Sequence, residues 1–79
     1  MIIYLKAGSE LRERLKPDVD HYTRKVETEE GKSIRAILLD LGIDPAFVAF
    51  AYIDNTFEQL DYVPSEGQTI TLQPPVSGG

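Results

Sequence analysis

The N-terminal third of the chain contains two segments in which apolar and polar positions alternate. In the first, residues 1–7, one face of the extended chain carries Met1, Ile3 and Leu5. The second covers residues 21–28, and we expect it to form a strand that pairs back on the first. The stretch between them, 9–20, is polar and contains Pro17, so it predicts a loop or turn.

A helical pattern follows these two strands. Four apolar residues recur at spacings of three and four: Ile34, Ile37, Leu38 and Leu41. This spacing places them on one stripe of a helix. Ser33 is a favourable N-cap, Gly42 is a favourable residue just after the helix, and Pro45 follows shortly. The sequence therefore predicts a helix from about Ser33 to Leu41.

The C-terminal half predicts short strands separated by turns. Residues 46–53 are rich in aromatic and β-branched side chains and predict a buried strand, which the turn residues Asp54-Asn55 end. Residues 57–63 predict a short or edge strand, the turn 64–67 follows, and 69–72 predict the last strand. Two strands, one helix and two or three further strands predict an α+β roll, in which one helix packs across a mixed sheet of four to five strands.

Composition narrows the classes of function. With 79 residues and no cysteine, the chain is one small domain without disulfides, thiolate metal sites or a cysteine nucleophile. The net charge of −5 argues against nucleic-acid binding, which depends on Lys and Arg contacts to phosphate. The N-terminus lacks a basic region before its short apolar run, and no segment approaches the length of a membrane span. We therefore expect a cytoplasmic protein that binds neither nucleic acid nor membrane.

The side chains offer little chemistry of their own. His21 is the only histidine, so a two-histidine metal site is excluded. The acidic groups of Asp18 and Asp20, and of the cluster 27–30, lie in polar stretches without the burial that shifts a carboxyl pKa. We expect no catalytic residue, no metal and no bound cofactor.

The C-terminal tail is the chemically distinctive segment. We predict a domain over 1–72 and a flexible tail over 73–79, which reads QPPVSGG. No charged side chain occurs after Glu66, so the terminal carboxylate is the only charge expected there. Two prolines favour an extended exit, and the seven residues 73–79 span roughly 23–25 Å when extended. Terminal glycines, which have no Cβ, suit a narrow passage into a partner's active site.

The last 30 residues or so resemble the ThiS/MoaD-type sulfur carriers, above all the molybdopterin synthase small subunit. The similarity lies in the ending PPVSGG, Pro74 to Gly79, and in Glu66-Gly67, where the family has an Asp-Gly turn. The resemblance implies the ubiquitin-like β-grasp fold, which matches the predicted order of elements. It also implies that Gly79 is adenylated and converted to a thiocarboxylate.

The resemblance also implies the partners and the surfaces that meet them. An adenylating enzyme of the ubiquitin-activating type would use ATP, a sulfur donor protein or persulfide would supply sulfur, and the large subunit of a synthase would accept it. The tail residues that would enter a partner's channel are Pro74, Pro75, Val76, Ser77 and Gly78. Phe57 stands where the family carries a hydrophobic partner contact, although a place in the core is the other interpretation of this aromatic residue.

Several alternatives stay open from the sequence. Asp54 replaces a usual Asn, and polar Gln73 replaces a usual large apolar residue, which weakens assignment to the molybdopterin pathway specifically. A thiamine, tungsten-cofactor or amino-acid sulfur pathway would use the same tail. A ubiquitin-like modifier joined to proteins through Gly79 would use it too. A non-covalent β-grasp binding module would not need the tail at all.

Overall fold

The structure, a computed structural model, describes residues 1–76. Within them, five strands, two α-helices and one 3₁₀ turn follow one another along the chain. Their bounds are β1 Ile2–Lys6, α1 Ser9–Leu15, β2 Thr23–Glu27, α2 Ile34–Asp40, the 3₁₀ turn Pro45–Phe47, β3 Phe50–Ile53, β4 Thr56–Glu58 and β5 Thr69–Gln73. The strands form one mixed sheet in the order β2-β1-β5-β3-β4.

The centre of the sheet is the parallel pair of β1 and β5. Leu5 of β1 lies opposite Ile70 of β5, while β2 and β3 flank this pair in antiparallel register. Two parallel strands must be joined by a long crossover connection. The chain between β1 and β5, which contains both helices and the other three strands, forms this connection. This arrangement is the ubiquitin-like β-grasp, so the predicted α+β fold is confirmed.

Strand alternation explains which residues form the core. One face of the sheet and the inner sides of both helices meet in a single apolar cluster. Its fully buried large side chains are Ile3, Leu5, Leu15, Ile34, Ile37, Leu38, Ile70 and Leu72. The predicted inner face of β1 is confirmed, with Met1 packed at the margin of the cluster.

Helix α2 has the caps that its sequence predicts. The Ser33 hydroxyl accepts a hydrogen bond from the Ala36 N–H at 3.2 Å, which satisfies one of the free donors of the first turn. At the other end, Gly42 N–H donates to Leu39 C=O and Ile43 N–H donates to Leu38 C=O. This pattern is a Schellman motif, and it places Gly42 in the left-handed region at φ 78°.

We expect Gly42→Ala to destabilise the protein by about 1–2 kcal/mol, because a Cβ is disfavoured in the left-handed region. Gly8→Ala is the matched control: Gly8 has φ −118° and ψ −179°, and nothing lies within 4 Å of an added Cβ. Urea unfolding of both variants measures the difference. Equal free energies of unfolding for the two variants would contradict the assigned role of Gly42.

The prediction of a loop over 9–20 was wrong for its first half, which forms helix α1. Leu11 and Leu15 lie four residues apart on one face and are both buried, while charged residues occupy the positions between them. Only two apolar residues mark this helix, too few for a recognisable stripe. The helix ends at Lys16, whose φ is 57° and whose N–H donates to the Arg12 carbonyl at 3.1 Å.

The predicted bounds of four strands also change. Strand β2 begins at Thr23, two residues later than predicted, and the side chain of Tyr22 is half exposed outside the strand. Strand β3 begins at Phe50 because Pro45 starts the 3₁₀ turn that occupies the preceding residues. Strand β4 is limited to three residues, and β5 extends one residue beyond its predicted end, to Gln73.

The predicted turn Asp54-Asn55 is confirmed as a two-residue hairpin loop. Both residues have positive φ, 51° and 65°, and Ile53 pairs with Thr56 across the turn. Such left-handed pairs twist the chain in the sense that an antiparallel hairpin needs, and Asp and Asn tolerate them better than most residues. The turn therefore fixes the register that brings Phe57 opposite Tyr52.

Candidate functional site

The tail leaves the body at the end of β5. The carbonyl of Gln73 accepts a hydrogen bond from the Ala49 N–H at 2.8 Å, and this bond closes the ladder between β5 and β3. Pro74 and Pro75 follow, and because proline has no N–H they cannot continue a ladder. Both are exposed, as is Val76 at 90%. The sheet therefore stops at Gln73, and the chain passes into solvent.

The predicted tail residues divide into two groups. Pro74, Pro75 and Val76 are described, and all three are exposed and lie outside the core. Ser77, Gly78 and Gly79, including the predicted site of modification, lie outside the described residues.

Two surface depressions border the exit of the tail. The first lies on the β1 side, where Lys6, Tyr22 and Gly8 surround Gln73 and Pro74. The second lies between α1 and the 3₁₀ turn, where Pro74 and Pro75 line the surface together with Glu10, Leu11, Arg14, Ala46 and Phe47. Both depressions are open to solvent, and the first residues of the tail contact them.

The acidic and histidine side chains do not converge at this exit. Across residues 1–76, no group of three or more His, Asp or Glu side chains is placed to hold a metal ion. Asp20 is fully exposed, and its pKa is lowered chiefly because its carboxylate accepts a hydrogen bond from the Tyr22 N–H at 2.8 Å. This interaction organises the loop before β2. His21 is likewise exposed.

An aromatic patch, formed by Phe50, Tyr52 and Phe57, covers the outer face of the sheet at β3 and β4. The Phe50 and Phe57 ring centroids are 4.7 Å apart, and the Phe50 and Tyr52 centroids are 5.4 Å apart in an edge-to-face arrangement. Phe57 is 53% exposed and Tyr52 39% exposed. A cluster of two exposed rings and one half-buried ring is unusual on a free surface and typical of a contact with another protein.

The structure rules out a core position for Phe57, because this side chain is more than half exposed on the outer face of the sheet. The role of Phe57 as a partner contact stays a prediction. Sequence reasoning missed its two partners in the patch, Phe50 and Tyr52. Residues 50–53 are all apolar, so their pattern does not show which alternate pair, Ala51 with Ile53 or Phe50 with Tyr52, faces the core.

Gln68 is a further residue whose role the sequence did not reveal. Its side-chain carbonyl accepts hydrogen bonds from the Ser65 N–H at 2.7 Å and from the Tyr62 hydroxyl at 3.2 Å. Gly67, at φ 82°, completes the same turn, and its N–H donates to the Ile2 carbonyl at 2.7 Å. The turn that sets the start of β5 is therefore held by a polar network.

Comparison with solved structures supports the same architecture. The crystal structure of SAMP1 from Haloferax volcanii superimposes with a TM-score of 0.68, and the alignment covers 100% of both chains at 19% sequence identity. The shared fold is ubiquitin-like. No family model and no curated protein matches the sequence. Among the described residues, no helix is long and apolar enough to cross a membrane.

Proposed function

We propose that this protein is a sulfur carrier whose working group is the terminal carboxylate of Gly79. The observation that carries the proposal is the contrast between the body and the tail. The body is closed around one core, and among residues 1–76 no group of three or more His, Asp or Glu side chains is placed to hold a metal ion. The tail leaves the sheet at Gln73 and contains no charged side chain, and its sequence ends in Gly-Gly.

The chemistry needs only a carboxylate and an enzyme that activates it. A terminal carboxyl group, with a reference pKa near 3.3–3.7, is ionised at neutral pH. One of its oxygens attacks the α-phosphorus of ATP, pyrophosphate leaves, and an acyl-adenylate forms. Hydrosulfide then attacks the carbonyl carbon, AMP leaves, and one proton is released, which gives the thiocarboxylate. When a protein persulfide is the donor, its outer sulfur attacks the carbonyl carbon, AMP leaves, and an acyl disulfide forms. A thiol then attacks the donor's sulfur in that disulfide, which releases the thiocarboxylate and leaves the donor joined to the thiol by a disulfide.

The partners follow from this chemistry. An adenylating enzyme of the ubiquitin-activating type supplies the ATP site, and a synthase large subunit receives the sulfur, in molybdopterin biosynthesis or a related cofactor pathway. The PPVSGG ending favours the molybdopterin branch. We assign the aromatic patch to docking, because it presents a contiguous apolar surface next to β5, the strand that leads into the tail.

A second candidate function is that of a ubiquitin-like modifier. The overall fold favours it, since the same β-grasp body and Gly-Gly ending suit attachment to another protein. Here a lysine amine of the target would attack the acyl-adenylate, or a thioester derived from it, and form an isopeptide bond. Both functions use Gly79, and they differ in the nucleophile that takes its acyl group.

The intact mass of the protein purified from its native host separates the two functions. A carrier gains about 16 Da when sulfur replaces oxygen, an increment that oxidation of the single Met1 would also give. Reduction of methionine sulfoxide before the measurement removes that ambiguity. A modifier instead appears in covalent adducts of much higher mass. A chain found only at its unmodified mass, under conditions where the pathway is active, would contradict both.

Phe57→Asp should weaken binding to the adenylating enzyme or the synthase at least about ten-fold, because it places a charge in the centre of an apolar contact. The fold should be unaffected, since the side chain is more than half exposed at 53%. Val63→Asp is the control, because Val63 is similarly exposed, at 47%, and lies outside the aromatic patch. Titration calorimetry with each purified partner measures both variants. Equal affinities would remove the patch from the interface.

A further inference from the structure

An arginine stacked on a phenylalanine stands beside the exit of the tail. The guanidinium carbon of Arg14 lies 3.7 Å from the centroid of the Phe47 ring, well inside the range of a cation–π contact. Arg14 belongs to α1 and Phe47 is the last residue of the 3₁₀ turn. The contact therefore joins two elements that are far apart in the sequence, and neither residue is needed to fill the core.

The topology of the sheet explains why both residues stand at this place. Strand β5 is parallel to β1, so its end lies at the same edge of the sheet where β1 leads into α1. It is antiparallel to β3, so the same edge receives the 3₁₀ turn that precedes β3. The last backbone bond of β5 joins Gln73 to Ala49, two residues beyond Phe47. The tail thus starts between the two elements that Arg14 and Phe47 link.

The prolines follow the depression between these elements. Pro74 and Pro75 line it together with Leu11, Arg14 and Phe47. Leu11 is buried below the surface, whereas Phe47 is 40% exposed and forms a wall. Proline fixes its own φ near −65° and favours an extended continuation. Because Pro74 and Pro75 are stiff and rest on a fixed surface, they set the direction in which the chain leaves the body.

We propose that Arg14 and Phe47 are positioning residues that set the direction in which the tail leaves the body. This inference rests on the proposed function. A tail that already has the direction needed for binding loses less conformational entropy when it enters the active site of the activating enzyme. The proposed role of these two residues concerns the direction of the tail and not the chemistry of the carboxylate. Their effect is on the fraction of chains that present the terminal glycine in a productive direction.

The first test uses the free protein and needs no partner. In NMR spectra of the full chain, the Phe47 ring should shift the Pro75 proton resonances, and the heteronuclear NOE of the Val76 amide should report restricted motion. Phe47→Leu should abolish the ring-current shift and lower the NOE, and Phe47→Tyr should preserve both. Arg14→Gln should lower the NOE, whereas Lys16→Gln, the same loss of one positive charge at the C-cap of the same helix, should not, because Lys16 lines neither depression beside the tail. Unchanged Pro75 shifts in Phe47→Leu would overturn the proposal.

The second test measures the consequence in the native host. The fraction of chains carrying the thiocarboxylate at a fixed early time should fall about two- to five-fold in Phe47→Leu, and Phe47→Tyr should restore it. An undiminished fraction in Phe47→Leu would overturn the positioning role. If the parent chain carries no sulfur, the proposed function fails, and the NMR comparison still decides whether the two residues direct the tail.

Discussion

Deletion of Gly79 should abolish sulfur loading, with a loss of at least about a hundred-fold. The variant still ends in a carboxylate, that of Gly78, but this group is set back by about 3.3–3.6 Å along an extended chain. Misplacement of a reacting group by even 1 Å can cost about a hundred-fold in rate. The release of pyrophosphate, measured with ATP and the purified adenylating enzyme, gives the loss directly.

The stability of the body provides a control for the deletion. Within residues 1–76, the backbone ladder ends at Gln73 and the core ends at Leu72. Urea unfolding of the deletion variant should therefore match that of the parent chain. A second variant, with one alanine added after Gly79, keeps both glycines and moves the carboxylate forward, and we expect the same loss of pyrophosphate release. Full activity in either variant would show that the position of the carboxylate is unimportant.

Leu38→Ala should destabilise the protein by about 2–5 kcal/mol. Leu38 is completely buried between α2 and the sheet, so its truncation removes apolar contacts and leaves a cavity. Alanine is the best helix former, so the loss cannot be assigned to helix propensity. A small domain is stable by only about 5–15 kcal/mol in total, and we expect a large part of that stability to be lost in urea unfolding.

Leu39→Ala provides a matched comparison on the next residue of the same helix. Leu39 is 60% exposed on the opposite side of α2, so the same chemical change should alter the free energy of unfolding by no more than about 0.5 kcal/mol. A similar cost at both positions would mean that α2 does not pack against the sheet through the face described above.

Helix α2 and helix α1 show where prediction from sequence succeeds and fails. Four apolar residues at helical spacing, an N-cap serine and a glycine after the last turn all indicate α2, and each interacts as expected. Helix α1 has a single buried pair, Leu11 and Leu15, and no side-chain cap at its start. It is stabilised by packing onto the sheet, a tertiary effect that local pattern does not contain.

The candidate site shows the same division. The proposed chemistry of the tail depends on its composition, which is an uncharged stretch with two prolines and two glycines. The sequence alone therefore indicates this chemistry. The surfaces beside it depend on which residues meet in space. The aromatic patch joins two strands across a hairpin, and the stacked pair Arg14 and Phe47 joins a helix to a 3₁₀ turn. Neither set is contiguous in the sequence.

The most direct test of the account is the mass of the C-terminal peptide of the protein purified from its native host. Cleavage after Glu66, the last acidic residue, releases residues 67–79, which contain neither methionine nor cysteine. A gain of about 16 Da on this peptide therefore cannot arise from methionine oxidation, and fragmentation should place it on Gly79. The account predicts that gain. A peptide that continues past Gly79, or one that stays at its unmodified mass while the pathway is active, would contradict it.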